Sequence, residues 1–154
     1  MFQLRIARAT VLAVAGGTVL VGLPQSEAAA STTVFQTAIN TLTNTVRLAN
    51  GCKPLKLSSK LSKAAQKHAN DMSKYDYFSH TSRNGTTWSK RIKKAGYKYP
   101  GGENIAMGFP TAVEVMQAWL ASPDHRLNIL DCDFKKIGVG YAAGGDYWVQ
   151  DFVY

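Results

Sequence analysis

Two cysteines and three histidines among 154 residues leave little room for several familiar kinds of protein. Two cysteines cannot build a disulfide-dense scaffold. Neither has a His or Cys neighbour at metal-ligand spacing, which excludes zinc fingers and CxxC redox chemistry. No HExxH run is present, so the helical zinc-protease pattern is missing. No Gly-x-Ser-x-Gly elbow holds a serine exposed, which removes the usual serine hydrolase. Internal repeats, heptads and low-complexity linkers are absent, and nothing divides the chain into several domains. The longest apolar run, from Val11 to Leu23, is about a dozen residues, short of the roughly 20 that a membrane-crossing helix takes.

What that run does fit is an export signal. Arg5 and Arg8 precede it, and Ala28-Ala29-Ala30 follows it as a small-residue cleavage site. Residues 1–30 are therefore expected to be a signal peptide, with 31–154 secreted as one extracellular domain; an uncleaved anchor is the alternative. Acidic side chains are scarce: 18 Lys and Arg face 10 Asp and Glu, a formal net charge of +8. Cleavage would remove Arg5, Arg8 and Glu27, lowering the net charge by one. Lys60, Lys63, Lys67 and Lys74 follow helical spacing and read as a solvated face that attracts anionic envelope polymers only weakly. The lysines are not interleaved with aromatics along a groove, so no nucleic acid is expected as a partner.

An oxidising destination lets Cys52 and Cys132 pair, closing a loop that stabilises the fold by roughly 4 kcal/mol on the chain-entropy model. Two free thiols are the alternative. Apolar spacing places a first helix over Val34 to Ala49, stopped by Asn50-Gly51, and a second over about Lys60 to Lys74, capped by Ser58 or Ser59. In the second, Leu61, Ala64, Ala65, His68 and Met72 share a face, so His68 reads as a hydrogen-bonded packing residue. A short helix carries Trp88, Ile92 and Ala95 and ends at Gly96. Glu103 to Met107 reads as a short strand. Thr111-x-x-Glu114 is a capping box that opens a helix with Val113, Met116 and Leu120 on one side. Ser122-Pro123 starts a short helix through His125 to Leu130. Ile137–Ala142 and Tyr147–Val153 flank Gly144-Gly145 as a β-hairpin.

The remaining histidines narrow the search for a site. His125 falls in the first turn of its helix, where the positive end of the helix dipole disfavours its protonation. Glu103, one of two glutamates beyond the expected cleavage point, follows a glycine pair that lets backbone approach closely. Brought together, His80, His125 and Glu103 would make a two-imidazole, one-carboxylate set able to hold a divalent cation with open positions. Ser79, Ser82 and Ser122 are the serines near a histidine in sequence, and Ser122 is better explained as a helix N-cap.

Asn44-x-x-Arg47, Phe78-Ser79-His80, Gly102-Glu103-Asn104-Ile105, Trp119-x-x-Ser122-Pro123-x-His125-Arg126-x-Asn128-Ile129-Leu130, Gly138-Val139-Gly140 and Gln150-Asp151-Phe152 occur in this order. Together they resemble the CAP superfamily of cysteine-rich secretory, antigen 5 and pathogenesis-related proteins, also called the SCP domain. The resemblance covers Ala38 to Tyr154, and its Ser-Pro-x-His-Arg form is similar to that of compact bacterial single-domain members. It implies an α+β fold, a three-layer α-β-α sandwich with helices flanking a small, mainly antiparallel central sheet. It also implies a groove where two histidines and two acidic residues meet, with a divalent cation, zinc foremost, in many members. His80, His125 and Glu103 match three of the four. The second acidic position, three after the tryptophan, is Ser122, which leaves the set incomplete. Asn44 and Arg47 match a motif expected to tie the first helix to the domain.

The family has no single activity. The preferred expectation is a monomeric extracellular binding domain for a small ligand, lipid or protein. The alternatives are a metal-dependent hydrolase using Glu103 as ligand or base, and a secreted effector acting through its surface.

Overall fold

The computed structural model describes residues 25–154, with side chains from residue 32 onward. Most of the expected signal peptide, residues 1–24, lies outside the described residues. Nine elements follow in order: α1 (Gln25–Ala49), β1 (Lys56–Leu57), α2 (Ser59–Tyr75), α3 (Trp88–Lys94), β2 (Pro100–Ala106), α4 (Ala112–Ala121), α5 (Pro123–Leu130), β3 (Lys136–Ala142) and β4 (Tyr147–Val153). The α1 helix starts upstream of the expected Val34, because the alanines before it favour the helical backbone. Among the described residues, no helix is long and apolar enough to cross a membrane.

The sheet order is β1-β3-β4-β2. The pairs β2–β4 and β3–β4 are antiparallel, and only the two-residue β1 runs parallel to β3. β1 was not anticipated, since two residues are too few to show a period. Helices cover both faces. On one face, Ile137, Val139 and Tyr141 of β3 pack with Trp148 and Phe152 of β4 against Ile39 of α1 and Val115, Met116 and Trp119 of α4. On the other face α2 lies close to the strands: a Cβ added to Gly138 or Gly140 would stand 2.4 Å from the carbonyl carbon of Leu61 or Ala65. Gly-x-Gly in β3 is thus the seat of α2.

Local signals set most boundaries. Ser58 accepts from Leu61 N and caps α2, and Thr111 and Glu114 form the reciprocal capping box of α4. Val113 does not join the buried side of α4; it is 53% exposed, while Ala112, Val115, Met116 and Trp119 face inward. The four-residue helical period places residue 113 beside, not on, the stripe of 112, 115, 116 and 119. Cys52 and Cys132 are joined, with Cα atoms 4.9 Å apart. Beside them, fully buried Arg47 donates from Nε to Lys53 O and from Nη1 to Ile129 O and Asp131 O, at 2.8–3.1 Å. Asn44 brackets Leu55, donating to its carbonyl and accepting from its N–H. The Asn44-x-x-Arg47 motif therefore does tie α1 to the loops around β1 and after α5.

Candidate functional site at the free edge of the sheet

β2 is an outer strand, so along its free edge the two helical layers come round to meet. Glu103 in β2 is level with Asp151 in β4, which is level with Gly138 in β3. Side chains opposite one another across a ladder share a face. Glu103 and Asp151 therefore project on the α2 face, where glycine at 138 keeps α2 close. Asn104 and Gln150, one residue along, turn to the other face and bond each other at 3.1 Å.

His80 lies on the loop between α2 and α3, and its Nδ1 is 2.8 Å from Glu103 Oε1. A carboxylate oxygen only accepts, so Nδ1–H donates, and in the neutral ring Nε2 keeps its lone pair. The His80 side chain is 48% exposed while Glu103 is wholly buried. Glu103 Oε2 accepts from Arg91 Nη2 at 2.5 Å. Arg91, from α3, also places Nη1 within 3.0–3.1 Å of His80 O, Ser82 Oγ and Thr86 O. One guanidinium thus fixes both the carboxylate and the loop that carries the imidazole.

Asp151 completes this group from below. It is fully buried, and among the described residues neither carboxyl oxygen has a hydrogen-bond partner. Burial first, and then the negative charge of Glu103, hold its carboxyl well above the usual carboxylate range, against the opposing pull of Arg91. Asp151 therefore holds its proton to higher pH than a free carboxyl does.

His125 approaches from the opposite layer, in the first turn of α5. Its carbonyl accepts from Asn104 Nδ2, and Asn128, one turn on, donates to Asn104 Oδ1 and to Glu103 O. Gly102 makes room for this seam, since a Cβ there would stand 2.6 Å from Asn128 Oδ1. Burial, and next the proximity of His80, lower the His125 pKa, with Asp124 opposing. The two imidazoles are thus close enough to feel each other's charge. Ser122 sits at the junction of α4 and α5 in the N-cap position, with Pro123 at the helix start, yet its side chain makes no cap hydrogen bond.

Among the described residues, no group of three His, Cys, Asp or Glu is arranged to hold a metal ion. The donor set shows why a cation ligated by Glu103 does not fit: His80 occupies one carboxylate oxygen and a guanidinium, already cationic, occupies the other. His68 is a packing residue as anticipated, 1% exposed with Nε2 2.8 Å from Ser79 O. Arg91 was missed because Trp88–Lys94 reads as one more basic helix surface. Asp151 stood in a quoted motif without a role, although a carboxylate inside a strand buried along its whole length was a signal to follow.

A sheet wrapped by helices on both faces, with imidazole and carboxylate at its open edge, defines the SCP type of domain. A family model for CAP, the cysteine-rich secretory protein family, matches residues 41–152, and the chain belongs to that family. Protein YkwD of Bacillus subtilis (strain 168) is 39% identical over 129 residues, which are 83% of this chain and 50% of YkwD. The chain thus spans half the length of that relative. Among solved structures, an extracellular SCP-domain protein from Bacillus anthracis is 28% identical, with a TM-score of 0.79, over 86% of this chain and 44% of its own. An outer surface protein from Borrelia burgdorferi is 26% identical, with a TM-score of 0.67, over 75% of this chain and 88% of its own.

Proposed function

We propose that this chain is an extracellular binding domain, in which the cleft at the free edge of β2, bounded by His80 and His125, takes up a small ligand. The observation that carries the reading is the supported imidazole: His80 is half exposed, yet its Nδ1 is held by a buried carboxylate that a guanidinium locks in turn. Such a ring presents Nε2 in a fixed direction at little entropic cost on binding. The lowered His125 pKa keeps the second ring neutral and able to accept a hydrogen bond. Among the described residues, the hydrogen bond to the His80 ring comes from a carboxylate rather than from a serine or cysteine, which favours recognition over a covalent mechanism. The structural neighbours from outside the cell, the disulfide and the expected signal peptide support an extracellular setting.

Protein purified from the medium of its own host, extracted and analysed by mass spectrometry, tests this. Wild type is expected to carry a compound that the His80→Ala/His125→Ala double variant lacks. Equal recovery from both proteins, or none from either, overturns the cleft as the site. The same preparations assayed for zinc and for peptide, ester and lipid hydrolysis decide the competing reading: stoichiometric zinc together with turnover would make the domain a metal-dependent hydrolase.

A further inference from the structure

A concavity lies between α2 and α3. Its volume is about 360 Å³, within the range of small-molecule sites. Lys60, Lys63 and Lys67 line it from α2, and Arg91 and Lys94 line it from α3. The three α2 lysines share a face because they stand three and then four residues apart. What reads in sequence as a solvated stripe becomes one wall of a cavity once α3 packs opposite. The acidic residue in the lining, Asp71, already accepts from Tyr77 Oη at 2.5 Å. Ser82 and Thr86 are also in the lining, with Ser82 Oγ accepting from Arg91 Nη1, and the small Ala64 and Ala95 take up little of the space.

An independent observation points to an anion. The Arg91 side chain is only 9% exposed, and among the described residues its buried Nε–H has no acceptor. A buried N–H left unpaired is destabilising, more so on a charged group. Arg91 spends its outer nitrogens on Glu103 and the His80 loop, and an acceptor in the cavity it lines satisfies the remaining one once a neighbouring side chain turns aside.

We propose that the α2–α3 cavity is a binding site for the phosphate group of a small soluble phosphorylated polyol. Lysine ammonium groups take phosphate as point charges, and the guanidinium Nε–H supplies a directed donor. The hydroxyl-bearing lining suits a polyol, and the volume admits a phosphorylated unit of glycerol to hexose size. This site shares Arg91 with the support of His80, but it does not rest on the reading of that cleft.

Glycerol 3-phosphate is the probe, titrated calorimetrically into the full secreted chain at low and at physiological salt. Wild type is expected to bind it saturably, and Lys63→Gln/Lys67→Gln to bind at least about tenfold more weakly. Lys74→Gln serves as the control: it removes one charge from the same helix, but Lys74 lies over the Tyr75 ring and outside the cavity lining. Its affinity should stay within about twofold of wild type. An equal loss in Lys74→Gln would show diffuse surface attraction and overturn the site. Binding to phosphatidylglycerol vesicles without binding to soluble glycerol 3-phosphate would also overturn it, in favour of a membrane surface.

Discussion

The two faces of the sheet are built on different principles. Against α1 and α4 the strands offer Tyr141, Trp148 and Phe152. The Phe35 ring meets Tyr141 at 4.3 Å and Trp148 at 5.2 Å between centroids. The polar side chains that the strands and α4 turn to this face are neutral and satisfied: Trp148 Nε1 donates to Phe109 O, Trp119 Nε1 to Ile105 O, and Gln150 Nε2 to Thr43 Oγ1. Against α2 and α3 the strands offer Ile105, Tyr147, Val149 and Val153, but also glycine and ionisable groups, with Glu103 and Asp151 buried beside His68 and Arg91. The first face gains its stability from apolar area and ring packing. The second gives up apolar area to hold charge in place, and the half-exposed His80 stands on it.

Truncating the aromatic face should have the largest effect. Trp148→Ala removes a ring with no exposure, and a loss of about 3–5 kcal/mol is expected in urea unfolding. A loss below about 1 kcal/mol would mean that this face is not the main source of stability. On the other face, crowding should matter more than truncation. Gly140→Ala places a methyl 2.4 Å from the Ala65 carbonyl carbon, a backbone atom that cannot turn aside, and should cost about 1–3 kcal/mol. The seating of α2 on β3 would need revision if the variant proved as stable as wild type.

The smallest effect, and the most informative about the charged face, concerns Asp151. Its carboxyl holds its proton more tightly folded than unfolded, so Asp151 supports the fold below the unfolded carboxylate range near pH 4. That support is lost as pH rises, because the unfolded chain releases the proton and the folded one resists. Asp151→Asn keeps the shape without the ionisation. Its stability relative to wild type should therefore improve as pH rises above about 4, read by thermal melts at a series of pH values. Parallel curves would show that Asp151 is ionised in the fold. His68 works in the opposite direction: burial lowers its pKa, so its contribution falls as pH drops below about 6.5.

The same contrast explains how much of the molecule could be read from its residues. The aromatic face was legible because apolar periodicity and the Thr111/Glu114 cap are local, and Trp119, Val139 and Phe152 fall where period and family motif agree. His80 and Glu103 were legible as a pair through motifs 23 residues apart in sequence. Their support was not. Arg91 is one of four cations in seven residues, and nothing local separates the buried one from the exposed three. The raised pKa of Asp151 comes from burial and from Glu103 across a ladder whose register no single strand encodes. Val113 and the two-residue β1 failed for a simpler reason, that one or two residues carry no period.

Near the Cys52–Cys132 bond, Arg47 joins the same two stretches of chain through carbonyls on both sides. Everything between those cysteines, including the exposed turn at Asn84-Gly85, the loop bearing His80 and the strand bearing Glu103, belongs to one covalent ring. A protease that cuts anywhere inside the ring opens it without releasing either fragment. The two pieces stay joined by sulfur, and a cut between β2 and Cys132 leaves β2 paired with β4 across the break. A domain of this design can be nicked and still be one molecule.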